Sequence, residues 1–160
     1  LASVLPTIRS RCVSFAIAPV SPADCARYCT AHGVDKKTAA LYSELFDGHI
    51  GTVLTAARDK ARTEQVDKAM ELARAAQAGD SYTAAVLLAP YEKDKAGAAA
   101  LLRDLRAVAA AGLQGSPHAP VQGQQAQRTL RLAEAAIQRL GAQVNPKIVL
   151  TVFAARLAHA

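Results

Sequence analysis

The stretch KDKAGAAALLRDLRAVAAAG, from Lys93 to Gly112, is dominated by alanine. Alanine has the highest helix propensity of any residue and very little volume. A chain built on such stretches favours helices that approach closely through small side chains. Apolar residues make up 51% of the 160, enough for a buried core, yet aromatics are only 4% and tryptophan is absent. The expected fold class is therefore all-α, and the length suits one domain or two small ones.

Capping signals divide the chain. From Val13 to Ala18 the residues VSFAIA alternate, with Val13, Phe15 and Ile17 on one side, as in a short strand or extended segment. Ser21, Pro22 and Asp24 form a helix start, with a side-chain cap, a proline at the first helical position and a return contact. A first helix is expected from Pro22 to His32, closed by Gly33. Asp35 caps a second, Lys36 to Phe46, with Leu41, Tyr42, Leu45 and Phe46 on one face and Gly48 after it. Ile50, Val53, Leu54 and Ala57 mark a third, at the spacing of an apolar stripe, with His49 as its start residue. About five more helices are expected from Arg62 to the end. Their turns are Gly79-Asp80-Ser81, Pro90, the loop Gly112 to Gly123, and Gly141 to Asn145-Pro146. Within them Leu101, Leu102, Leu105 and Val108 form a buried stripe, as do Leu130, Ala133, Ile137 and Leu140, and then Ile148, Val149, Val152, Phe153 and Leu157. Gly112 and Gly115 read as helix terminators, and Gly97 as a weak point in the helix start.

The formal net charge is +6, from 19 Lys and Arg against 13 Asp and Glu. Acids lie close to bases in EKDK and RDLR, which reads as a solvated mixed-charge surface and not as a concentrated nucleic-acid face with stacking aromatics. Three cysteines, Cys12, Cys25 and Cys29, fit reduced thiols and a cytoplasmic location better than a disulfide scaffold. Cys25, Cys29 and His32 share one helix face, but a zinc site needs ligands converging from suitably spaced segments, and the usual C-x-x-C knuckle is missing. These cysteines are expected in the core. No metal is expected, and neither is a membrane span, because the longest apolar runs are far too short.

Close to the first residue lies PTIRSRC, Pro6 to Cys12. Arginine carries a permanent charge on a planar fork that matches phosphate oxygens. An isolated pair such as Arg9 and Arg11 would ordinarily be surface residues. The string LPTIRSRC followed by VSF, however, resembles the SRC motif of bacterial DNA polymerase III clamp-loader subunits, within the AAA+ ATPase superfamily. Proline before TIRSRC is most similar to the delta-prime branch. LLRDL, Leu101 to Leu105, and NPKIVLTVFAARL, Asn145 to Leu157, are similar to further helical patterns of that family. The resemblance is close from Leu5 to Phe15 and loose elsewhere.

The resemblance implies three parts. Residues 1–18 would be the tail of an ATPase domain, 19–61 a three-helix AAA+ lid, and 62–160 a helical collar that joins subunits into a ring. It implies that Arg11, set between Ser10 and Cys12 in a motif that includes Pro6 and Thr7, is an arginine finger acting in trans on ATP held by a neighbouring subunit. Arg9 would be a surface or inter-subunit contact, and Cys12 a small packing residue. The implied partners are the gamma/tau and delta subunits and, through the assembled complex, the sliding clamp and primed DNA. Gly51, in GHIGTVL, stands where ATP-hydrolysing relatives carry a nucleotide-sensing arginine, which favours delta-prime over a gamma/tau motor subunit. No G-x-x-x-x-G-K-[ST] phosphate loop occurs in the sequence, so this chain is expected to bind no cofactor and hydrolyse nothing by itself. The alternatives are a gamma/tau motor subunit and an independent basic helical module that binds DNA.

Overall fold

The structure, a computed structural model, describes residues 11–13, 18 and 20–158. Among the described residues the chain is all-α, as alanine content predicts. The helices are α1 (Pro22–Ala31), α2 (Lys36–Leu45), α3 (Ile50–Arg58), α4 (Lys60–Ala78), α5 (Ser81–Leu88), α6 (Lys95–Leu113), α7 (Gly123–Gly141) and α8 (Pro146–Ala158). A 3₁₀ turn, Ala89–Tyr91, follows α5. Of the segment read as alternating, only Val13 and Ala18 lie among the described residues, and neither belongs to a regular element.

Side-chain oxygens set most helix starts by accepting otherwise unpaired backbone N–H groups. Ser21 Oγ accepts from Asp24 N at 3.1 Å and donates to the Asp24 carboxylate at 2.7 Å. Asp35 accepts from Lys37 N and Thr38 N at 3.0 and 3.1 Å, Asp59 from Ala61 N at 3.0 Å, and Asp80 from Thr83 N at 3.0 Å. Asn145 Oδ1 accepts from Lys147 N at 2.9 Å ahead of α8. The backbone N–H of Thr38 holds the Asp35 carboxyl below its ordinary range, and the Thr83 hydroxyl and N–H do the same for Asp80. A carboxyl lowered in the fold contributes stability that is present above its unfolded value, about 3.9, and is lost as pH falls through the lower folded value. The melting temperature should therefore drop on acidification below about pH 4. The Asp35→Asn/Asp80→Asn double variant should show a shallower drop in thermal denaturation followed by circular dichroism.

Helix α6 organises the core. It packs on α4 and α7 and also touches α2, so it links the first three helices to the rest. Leu101, Leu102, Leu105, Val108 and Ala109 are all fully buried along it. Ala73, Ala76 and Ala133 are fully buried on α4 and α7, where small side chains let the backbones approach. Helices α6, α7 and α8 form a layer with α7 in contact with both others, and α4 touches all three. Helix α5 packs on α8 and α4. Only Asp59 separates α3 from α4, so the boundary expected between residues 61 and 62 falls in the first turn of α4.

Two glycines are held by close approach. At Gly48 φ is +71°, and an added Cβ would lie 1.8 Å from the Val20 carbonyl oxygen. Gly112, read from sequence as a terminator, instead lies inside α6, which continues to Leu113. Its real constraint is the returning loop: a Cβ there would lie 1.9 Å from the Val121 carbonyl oxygen. Gly112→Ala should cost about 1–3 kcal/mol, the range for overpacking a tight contact. A urea titration would measure it, and an unshifted midpoint would contradict the contact. One apolar assignment also changes: Ile148, placed on the stripe of α8, is 59% exposed, because Val149, Leu150, Phe153, Ala154 and Leu157 form the buried face.

Candidate functional site

Pro6, Thr7, Arg9 and Ser10 of the motif lie outside the described residues. Arg11 and Cys12 are described, and both are exposed just ahead of α1. Exposure of Cys12 departs from the expected small packing residue: it stands before the first helix and outside the helical packing. Cys25 and Cys29 are fully buried, as the apolar reading of their helix face predicts. Burial pushes the Cys29 thiol up from its ordinary range, which disfavours the reactive thiolate. His32 follows α1, exposed, with Nδ1 2.8 Å from the Tyr28 carbonyl oxygen and its ring stacked on that of Tyr28.

Gly51 occupies the first turn of α3, facing a cleft of about 350 Å³ lined by Thr52, Thr55, Ala56, Asp59 and Arg62. An added Cβ at Gly51 would meet nothing within 4 Å, so packing does not dictate the glycine. Any side chain there would have room. Among the described residues the one basic side chain lining the cleft, Arg62, is already engaged. Its guanidinium forks onto the Asp104 carboxylate of α6, with Nη2 at 2.5 Å from Oδ1 and Nη1 on Oδ2. Asp59 places a carboxylate on the same wall while it caps α4. Among the described residues the lining of the cleft therefore offers phosphate oxygens no free cation.

The Arg62–Asp104 pair forms the centre of a larger junction that motif reading missed. Gln65 Nε2 donates to Asp104 Oδ2 at 2.7 Å, and the Arg62 guanidinium lies over the Phe46 ring, 5.5 Å from its centroid. Asp104 holds the Arg62 proton more tightly than usual, and burial pushes the Tyr42 phenol up. Nearby, Ser116 Oγ donates to the Glu44 carboxylate and accepts from His118 N at 3.2 Å. Side chains from α2 and the turn after it thus meet α4, α6 and the loop beyond α6. These contacts fix the first three helices against the following five.

Helices α5 and α8 border an apolar cleft of about 340 Å³, lined by Tyr82, Ala85, Leu88, Leu150 and Ala154 among others. Tyr82 is 78% exposed at this cleft, while Val86 on α5 and Ile148 on α8 are also exposed. Among the described residues no helix is long and apolar enough to cross a membrane. Comparison with protein-family models, curated proteins and solved structures finds no match to this chain.

Proposed function

We propose that the chain is the lid and collar portion of a delta-prime subunit of a bacterial DNA polymerase III clamp loader, with residues 1–18 forming the end of its ATPase domain. The observation that carries this reading is the string LPTIRSRC, with an exposed Arg11, followed by a three-helix unit and then five further helices. In this reading α1–α3 are the lid and α4–α8 the collar.

The role of Arg11 is electrostatic. ATP bound by an adjoining motor subunit gains negative charge on its transferring phosphoryl oxygens as water attacks. A guanidinium held against those oxygens by the neighbouring subunit stabilises that charge more than the ground state. Arg11 is exposed and so is free to reach outside its own chain. The Gly51 cleft supports delta-prime over gamma/tau: its one lining guanidinium is bound to Asp104, and no side chain at residue 51 could sense a nucleotide. The subunit would lend a finger without hydrolysing ATP itself. Tyr82, Val86 and Ile148 would give the collar an apolar surface for its neighbours.

Assembly tests the reading. The chain, mixed with gamma/tau and delta subunits of the same bacterium, should elute with them as one complex in size-exclusion chromatography. Elution at its own volume at micromolar concentrations would contradict it.

A further inference from the structure

The formal charges are divided unevenly along the chain. Residues 1–94 hold 11 Lys and Arg against 11 Asp and Glu, while residues 95–160 hold 8 against 2. The whole surplus of +6 thus belongs to α6, α7, α8 and their connections. One of the two acids, Asp104, is buried and occupied by Arg62 of the other half. Glu134, on α7, is the other.

Packing turns this surplus into a surface. Helix α4 touches α6, α7 and α8, and its contacts occupy their inner sides. Helix α6 leaves only a narrow outer stripe exposed, and Arg103 and Arg106 lie on it. The exposed stripe of α7 carries Gln124, Gln127, Arg131, Glu134 and Gln138, with Arg139 beside it. Arg128 bridges to α8, with Nη2 2.6 Å from the Arg156 carbonyl oxygen. Lys147 is the one base of this layer that pairs with a carboxylate of the other half on the surface, Glu92 at 3.4 Å. Among the described residues Arg103, Arg106, Arg131 and Arg139 have no carboxylate partner.

We propose that this outer side of the α6–α7–α8 layer binds the phosphate backbone of duplex DNA. Six of the eight bases in residues 95–160 are arginine, the side chain whose fork suits phosphate oxygens, and four of them, Arg103, Arg106, Arg131 and Arg139, are exposed on this side. The glutamines between them add neutral hydrogen-bond donors. The stripe of α7 has no large apolar side chain of the kind that anchors a protein partner. The last 66 residues contain one aromatic, Phe153, and it is buried. Among the described residues the exposed side of α7 presents no Phe, Tyr or Trp ring on which unpaired bases could stack, which favours the backbone of a duplex over a single strand. From Arg128 to Arg139 the helix rises about 16 Å, and B-DNA presents a phosphate every 1.7 Å or so of its axis, so several contacts can form at once. This surface is independent of the clamp-loader reading, since it uses neither Arg11 nor any partner subunit.

Fluorescence anisotropy with a labelled duplex of arbitrary sequence and the full 160-residue chain tests it. With four to five phosphate contacts, the affinity should fall roughly 10²- to 10³-fold between about 50 and 200 mM salt. Arg103→Gln/Arg131→Gln/Arg139→Gln, all at exposed positions, should weaken binding at least tenfold and flatten the salt dependence by about three contacts. Removing the same charge elsewhere, as Lys36→Gln/Lys37→Gln/Lys60→Gln, should leave affinity within about threefold, and Arg11→Ala should leave it unchanged. Three results would overturn the proposal: no binding at low salt, equal losses in the two triple variants, or tighter binding to a polyglutamate peptide than to the duplex. Failure here leaves subunit assembly untouched, and failure of assembly leaves the DNA result standing.

Discussion

Asp104→Ala is expected to destabilise the fold by about 3 kcal/mol, the lower end of the range for breaking a buried ion pair. The Asp104 side chain is 9% exposed and the Arg62 side chain 28% exposed. Removing the carboxylate leaves a largely sequestered guanidinium over the Phe46 ring with no counter-charge, and strips the Gln65 amide of its acceptor. Arg62 keeps enough contact with water to turn outward, which is why the loss falls at the lower end. Urea unfolding of the wild type, Asp104→Ala, Arg62→Ala and the double variant would form a thermodynamic cycle. The double variant should be less destabilised than the sum of the single ones, because no charge is then left alone. A loss below about 0.5 kcal/mol for Asp104→Ala would mean that the pair behaves like an ordinary surface bridge and does not fix α4 on α6.

The same residue shows where the sequence was opaque. RDLR reads as alternating charge on a solvated face. Yet Asp104 lies three residues after Leu101 and four before Val108, both fully buried, so it shares their side of α6. That spacing was the available signal. Its partner could not be found this way, because Arg62 is 42 residues away and only tertiary packing brings the two together. Gly112 was opaque for a similar reason. A glycine near a helix end reads as a stop, whereas its constraint comes from the Val121 carbonyl on the far side of a loop.

Other features were legible because they are local. The caps at Ser21, Asp35 and Asp80 join residues only two or three positions apart, and they set the helix starts as their spacing predicts. The all-α class followed from alanine content and apolar periodicity. The charge surplus of the last 66 residues is a matter of counting, but local mixtures of acid and base such as EKDK and RDLR obscured it. Only the layering of α6, α7 and α8 around α4 turns the count into a face.

The proposed finger is Arg11. It is exposed ahead of α1, so truncating it should leave folding and assembly intact. A finger acting in trans has a different signature, because the loss appears in the neighbour's chemistry. Arginine fingers contribute roughly 10³-fold or more to phosphoryl transfer, since the guanidinium meets charge that is greatest in the transition state. Arg11→Lys should recover only part of this, because a single ammonium lacks the fork that contacts two oxygens at once. Several motor sites in one complex would dilute the effect. The direct measurement is therefore DNA-stimulated ATP hydrolysis by an assembled clamp loader containing the full-length subunit, in which the only competent motor site adjoins it. Arg11→Ala is expected to abolish nearly all hydrolysis at that site while the complex still elutes as one species. Unchanged hydrolysis by an equally well-assembled complex would contradict it.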